Sequence, residues 1–518
     1  MNYTELSQRK CSATLPLVLC WACAALALGC TCAAIGMVAI YTALAVAVTV
    51  LFGIIAGRFP AATIGTATLC LGLFPFEWGI QTGVIPKLFG DECLLLLYLL
   101  AFPFLHICGA RSWSPGFRAL YVLLGVFVVS QSFSFVVADK DLVAYRNFAE
   151  TAILPSFLLV LVLQELSTET LSQESLSTAT VWVTCLIASL SIVERIVQRN
   201  PILEHVTDII YMSPKLVQLT GGTYRPYVSF FHPSEAGIFM ALGVPFAMRR
   251  WSQHKSVGGM VMLTIIAVGL IVNATRGVWV GVTVAMLLFI VNAWRLVVAL
   301  VPVITSGGIV AYLTLKDTSF MQRLMDPNNL YSRFEYWKIA VRIFKDHPFI
   351  GVGHMQFKQI YLSYVQDLSN SAHFDISKIF VTDNMYLTTI VEHGLIGLVS
   401  VIALLTYIGI LLKRSRKRAI ISGDISDAAL IRCSEMALTI YAVTGCFADL
   451  DLFTKTTKYI FILMGLGLAV GARYPRVLAS SSANSAEPDG GERMPLVWAA
   501  PNAVANMGNN SHEAPSAA

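Results

Sequence analysis

The sequence predicts an all-α polytopic membrane protein of about 12–14 transmembrane helices, interrupted by one long loop that contains an amphipathic helix. Three observations predict it. The first is composition: of 518 residues, 56% are hydrophobic and 13% charged, with a mean hydropathy of +0.68, where ordinary globular domains carry about 25% charged residues. The second is a succession of apolar runs long enough to cross a bilayer, which takes roughly 20 residues each. The third is that lysines and arginines recur on alternate connections, as the positive-inside rule requires. The net charge of +5 is accounted for by these connections and does not imply nucleic acid.

In chain order, Arg9 and Lys10 precede an apolar run, as in a signal peptide. The run continues almost unbroken to Gly57, too long for a cleaved apolar region. Candidate spans lie near 14–33, 36–57, 61–77, 92–110, 119–137, 149–164, 179–196, 233–248, 257–274, 277–293, 296–315, 386–412, 434–450 and 457–472. With the N-terminus inside, the inner connections hold Arg58, Arg111, Arg118, Arg249, Arg250, Lys255, Arg295, the run KRSRKR (413–418), Arg473 and Arg476. The connection 165–178 has no Lys or Arg. This topology puts 197–232 and 316–385 outside and both termini in the cytoplasm. The layout is therefore a bundle over 1–315, an outer active-site loop over 316–385, further spans over 386–476, and a disordered tail over 477–518 rich in Ser, Ala, Asn, Pro and Gly. The eleven cysteines cluster at the N-terminus and in or beside apolar runs, away from both long loops, and read as free thiols rather than a disulfide framework. No internal repeat of the transporter kind is present. The spans read as nearly free of ionisable residues, with polar groups gathered at one face.

Four polar patches fall on the outer side. TYRPYVSFFHPSEAG (223–237) offers Arg225, His232 and Glu235. NATRGVWVG (273–281) reads as a tight turn holding Arg276. In the long loop, Ser332 and Glu335 form a Ser-x-x-Glu capping box. Tyr331, Phe334, Trp337, Val341 and Phe344 follow as an apolar stripe at helical spacing, Pro348 ends the helix, and Arg333 sits in its first turn. Asp383 and Asn384 stand at the mouth of the next span. Three arginines on one face suit a phosphate-bearing ligand such as a lipid diphosphate, because the guanidinium fork stays charged and matches phosphate oxygens. Arginine cannot act as a base; Asp383, His373, His232 or Glu235 could. Each has a plainer reading: an arginine at a membrane edge snorkels to headgroups, Asp383 can cap a helix, and a loop histidine such as His373 can do nothing. Gly351-Val352-Gly353 is only a turn pattern, and Asp449-Leu450-Asp451 reads as structural, so neither a metal nor a cofactor is expected.

The order Arg225-x(6)-His232-Pro233, TRG (275–277), SRFEYWKIAVRIFKDHPFIGVG (332–353) and DNMYLTTIVEHGLIGL (383–398) resembles the O-antigen ligase and Wzy-type polymerase superfamily, over roughly 220–412. The resemblance implies a metal-independent glycosyltransferase of the bacterial inner membrane. Such enzymes take a glycan from an undecaprenyl-diphosphate carrier at the periplasmic face. Polymerases add it to another lipid-linked repeat unit, commonly alongside a chain-length regulator; ligases pass it to lipid A–core. Ligases of the family carry His, then Asn, Ser or Gln, then nine residues and Gly-x-x-Gly. Here Asn384 is followed by nine residues and Gly394-Leu395-Ile396-Gly397, but Asp383 occupies the histidine position. That departure tilts the expectation toward polymerisation of exopolysaccharide or O-antigen repeat units. The resemblance gives catalytic roles to Asp383, Arg276 and Arg333 and substrate binding to Arg225 and Asn384; His232, Glu235 and His373, read from the outer loops, are further substrate-binding candidates. A ligase is the alternative within the same chemistry. A flippase or transporter of lipid-linked oligosaccharide is the alternative of another class, and it should show ionisable residues at mid-membrane depth.

Overall fold

The structure, a computed structural model, describes residues 60–73, 79–80, 88–89, 115–137, 142–167, 170–200, 224–230, 232–290, 328–365 and 382–474. The spans expected at 14–33, 36–57, 92–110 and 296–315, the tail from 477 and His373 lie outside the described residues. Helices run in the order α1 (Pro60–Leu73), α2 (Arg118–Ser132), α3 (Leu142–Phe148), α4 (Leu154–Leu166), α5 (Thr170–Val197), α6 (Pro233–His254), α7 (Val257–Asn273), α8 (Arg276–Ile290), α9 (Asn328–Asp346), α10 (Phe357–Val365), α11 (Met385–Ile421), α12 (Ile425–Thr444) and α13 (Thr454–Ala472). A π-helical turn over Ala149–Ile153 joins α3 to α4. Gly79–Ile80 and Leu88–Phe89 form a two-residue antiparallel pairing. Among the described residues, Arg118–Val136, Val143–Leu166, Ser172–Val197 and Met385–Ile421 are long and apolar enough to cross a membrane. The chain is an all-α polytopic membrane protein.

The bundle is built around α13, which is buried without a break from Lys455 to Gly471. A helix that is apolar on every side is found buried, inside a bundle or in a bilayer. Small residues let those helices close in: a Cβ on Gly467 would lie 2.6 Å from the Ser434 side chain of α12, and one on Gly471 would lie 2.5 Å from Ser415 of α11. The outer ring of α4, α5, α6, α11 and α12 then shields α13.

Charges gather at one end of this bundle. Arg249 of α6 pairs with Glu174 at 2.5 Å and donates to Ser426 Oγ at 3.0 Å. Arg473 pairs with Asp427 at 2.5 Å, and Arg416 with Glu435 at 2.8 Å.

Several element boundaries differ from expectation, each for a physical reason. The 165–178 connection shrinks to a short turn because α5 starts at Thr170, and Gln173 there donates to the Leu166 carbonyl at 2.6 Å. The span expected over 434–450 is α12, shifted toward the N-terminus; Asp424 caps it by accepting from Asp427 N at 3.0 Å. The KRSRKR run belongs to helix α11, with Arg418 reaching the Tyr474 carbonyl at 2.7 Å. The bundle is also less free of charge than expected. Glu150, Glu194, Glu235, Glu435, Lys455 and Lys458 are all buried. Charges persist there because they are partnered: Glu150 takes Arg146 at 2.8 Å and Lys458 at 3.9 Å.

The loop helix α9 begins at Asn328, so Ser332 lies inside it and is not its N-cap; Glu335 instead meets Lys338 at 2.6 Å. The stripe read from the sequence is not the face that packs. Ile339, Ala340 and Ile343 are buried with Phe357, Tyr361 and Val391, while Phe334 is 46% and Val341 43% exposed. Both faces carry apolar residues. The protein core takes the one centred on Ile339 and Ile343, and Phe334 and Val341 remain as an outward apolar edge. Helix α9 ends at Asp346, two residues before Pro348.

Candidate functional site

The far end of the bundle collects the polar patches. Segment 224–230 is shaped by a residue the sequence reading passed over, Glu194 near the end of α5. Its carboxylate accepts from the backbone N–H of Tyr227 (2.9 Å) and of Val228 (2.7 Å) and from the Tyr224 hydroxyl (2.6 Å). Asn200 adds a bond to the Val228 carbonyl at 2.8 Å, and Arg195 donates to the Tyr224 carbonyl. This clamp holds Val228 at φ 55°, a conformation a β-branched residue adopts only under constraint. The one signal in the sequence was a lone acidic residue inside an apolar run.

Arg225 projects from that segment and is buried. Its Nε donates to the Asn273 carbonyl at 3.1 Å, and its Nη2 to Thr275 Oγ1 at 2.6 Å and Ser234 Oγ at 3.4 Å. Asn273 ties the corner further by donating to the Pro226 and Pro233 carbonyls at 3.3 and 2.8 Å. The turn Asn273–Thr275, with Ala274 at φ 57°, delivers Arg276 as the exposed first residue of α8. His232 is the N-cap of α6, its Nδ1 accepting from Ser234 N at 3.1 Å, and its ring stacks on Phe453 with centroids 5.7 Å apart. Glu235 is buried in the first turn of α6. These two residues are built into the scaffold beneath Arg225.

Across from them stands the start of α11. Asn384 caps it, accepting from Tyr386 N (3.0 Å) and Leu387 N (3.2 Å). Asp383 precedes it at φ 53°, a left-handed conformation that Asp tolerates better than most residues. Its side chain, 41% exposed, lies 3.4 Å from Arg333 Nε, so α9 delivers its arginine to the mouth of α11. Trp337 of α9 fixes this approach by donating to the Thr382 carbonyl at 3.1 Å. Crowding by protein pushes the Asp383 carboxyl above its ordinary value; the charges of Arg333 and Arg225 oppose that shift without cancelling it. Arg225, Arg333 and Asp383 therefore share one electrostatic site, with Arg276 next in sequence to the Thr275 that accepts from Arg225. Asp449 lies below it, accepting from Thr388 Oγ1 at 2.6 Å, a structural use of that carboxylate.

The Gly351 and Gly394 motifs form one structural unit. Gly394 breaks α11 at φ 65°, ψ −167°, which frees backbone groups on both sides of the break. The loop after α9 takes them up: Val352 N donates to the Val391 carbonyl (2.9 Å), Gly353 N to that of Glu392 (3.0 Å), and Leu395 N to that of Pro348 (2.8 Å). A Cβ on Gly394 would lie 2.2 Å from the Phe349 carbonyl oxygen. Behind this junction His354, Glu392 and His393 are buried together. Burial lowers the His354 pKa to about 4.

Fold and site together define a polytopic membrane protein with one carboxylate under the influence of two arginines at one end of its bundle. Residues 260–402 match the family model described as O-antigen ligase, of the O-antigen ligase and Wzy-type superfamily. The matched segment holds Arg276, Arg333, Asp383 and Asn384. Members of that family are glycosyltransferase-like enzymes, ligases and polymerases, that act on lipid-linked glycans in association with a membrane. No curated protein matches the chain.

Proposed function

We propose that the protein is a metal-independent glycosyltransferase that polymerises undecaprenyl-diphosphate-linked repeat units of an exopolysaccharide or O-antigen at the periplasmic face of the inner membrane, with both termini cytoplasmic. The observation that carries this reading is the convergence of Arg333, 3.4 Å from Asp383, and the field of Arg225 on a single carboxylate, with exposed Arg276 following the Thr275 that Arg225 bonds. In the proposed step Asp383 accepts the proton of an acceptor sugar hydroxyl. The hydroxyl oxygen bonds to the donor anomeric carbon, the bond from that carbon to the diphosphate oxygen breaks, and configuration inverts. Undecaprenyl diphosphate leaves with its charge matched by Arg276, Arg333 and Arg225, an electrostatic clamp on the leaving oxygens. His232 and Glu235 position Arg225 from beneath, and Asn384 orients Asp383 through the α11 cap. His373 belongs to the same loop and is assigned to acceptor binding. Polymerases of this kind commonly work with a chain-length regulator, which makes such a protein a candidate partner.

The ligase reading has the description of the matched family in its favour. The transporter reading has the buried Lys458–Glu150 pair, although Lys458 lies about one turn from the start of α13, not at mid-depth. All three separate in one experiment. Lipid-linked glycans are extracted from cells lacking the gene and complemented with wild type or Arg276→Ala, then sized by mass spectrometry. The account predicts that Arg276→Ala accumulates single repeat units on undecaprenyl diphosphate without long polymer. Long lipid-linked polymer that never reaches lipid A would make the protein a ligase, and repeat units trapped on the cytoplasmic leaflet would make it a flippase.

A further inference from the structure

His354, Glu392 and His393 each offer one ligand atom, and the three atoms lie within 4.8 Å of one another in buried surroundings. The histidine nitrogens that face each other, His354 Nδ1 and His393 Nε2, are 3.1 Å apart, and Glu392 Oε2 lies 3.7 Å from His354 Nδ1. The oxygens that face the outward nitrogens favour one placement of the protons. His393 Nδ1 stands 3.2 Å from the Gln131 carbonyl, which can only accept, so the proton is on Nδ1 and Nε2 is bare. His354 Nε2 stands 2.8 Å from Asn147 Oδ1, so it donates and leaves Nδ1 bare. Two lone pairs and a carboxylate thus converge, an arrangement that is repulsive unless a cation sits among them.

We propose that these three residues bind one divalent transition metal ion of the zinc class, which pins the loop after α9 to the break in α11. Two nitrogens on one tetrahedral zinc are about 3.3 Å apart, from Zn–N bonds of about 2.0–2.1 Å, close to the 3.1 Å seen here. The donor set is borderline nitrogen and oxygen, which suits zinc better than calcium or magnesium. The surroundings are those of a built site, in which ligand histidines donate their second nitrogen to an oxygen and the carboxylate is itself hydrogen-bonded. Glu392 is held by Met355 N at 2.8 Å and Phe357 N at 3.3 Å. Both histidines also line a cavity of about 40 Å³ with Gln131, Thr151 and Thr389, room for one water as a fourth ligand. The site is about 14 Å along α11 from Asp383 at 1.5 Å per residue, so the ion is structural and takes no part in the transfer proposed above; the two proposals stand or fall separately.

The test uses the full chain purified in detergent without a polyhistidine tag. Elemental analysis should find about one transition metal ion per chain, and Co²⁺ added to chelator-stripped protein should give the visible band of a tetrahedral site. His393→Gln should lose the ion, and Asn147→Ala, which removes only the outer hydrogen bond, should weaken binding roughly 10–100-fold. If His393→Gln does not accumulate, the Asn147→Ala titration and the wild-type cobalt spectrum carry the decision. Metal uptake equal in wild type and Asn147→Ala, or no tetrahedral cobalt band in wild type, would overturn the proposal. The histidines would then form a chain of neutral hydrogen bonds with the Asn147 amide turned so that its nitrogen donates.

Discussion

In the proposed transfer, Asp383 and its arginines carry the chemistry at the scale of single residues. A carboxylate beside Arg333 would ordinarily be a weak base, but crowding outweighs the arginines and leaves its pKa raised. The sign of the pH effect follows: the base works only when ionised, so turnover falls as pH drops through a pKa above the ordinary aspartate value. Asp383→Glu, if it folds, should shift that acidic limb, and a pH–rate profile in reconstituted membranes measures it. The three arginines are not interchangeable. Arg225 is buried and donates to Asn273, Thr275 and Ser234, so Arg225→Ala should cost stability as well as activity, about 1–3 kcal/mol for the acceptors left buried. Exposed Arg276 should lose donor affinity with little change in melting temperature. The sequence displayed these residues because an arginine among turn-forming, aromatic and hydroxyl residues in an apolar context is conspicuous. It concealed Glu194, His354 and His393, whose roles depend on partners 30 to 262 positions away in the chain.

The break in α11 and the loop packed into it organise the site at the scale of elements. Gly394→Ala places a side chain against the Phe349 carbonyl at a backbone angle that L-residues avoid, and should destabilise the protein by at least about 1–3 kcal/mol. Gly125→Ala, whose Cβ meets nothing within 4 Å, should leave thermal stability unchanged or slightly raised, and melting curves of the two in detergent check the contrast. Glu194→Ala should loosen segment 224–230, seen as faster proteolysis there and a raised donor KM. The helical elements were legible because apolar runs and Gly or Pro breaks are local signals. The packed face of α9 was not. Two apolar stripes run along that helix, and the choice of Ile339 and Ile343 over Phe334 and Val341 is made by α10 and Val391, which periodicity in α9 cannot see. The start of α9 was missed likewise, because Ser-x-x-Glu is as compatible with a helix interior as with its cap.

At the scale of the whole molecule, composition alone predicted a membrane bundle, and the described helices form one around α13. Buried charge was underestimated: hydropathy averaging hides Lys455 and Lys458 at the start of an apolar helix, where both are buried. The loop helix supplies Arg333 and the residue before the α11 cap supplies the carboxylate, so in the proposed mechanism one carboxylate flanked by arginines performs the transfer. The most direct test reconstitutes the purified protein in membranes with undecaprenyl-diphosphate-linked repeat units and compares wild type with Asp383→Asn, a replacement that tolerates the same left-handed backbone. The account predicts polymer formation reduced about 10²–10⁴-fold with donor binding retained. Turnover at the wild-type rate by Asp383→Asn would contradict it.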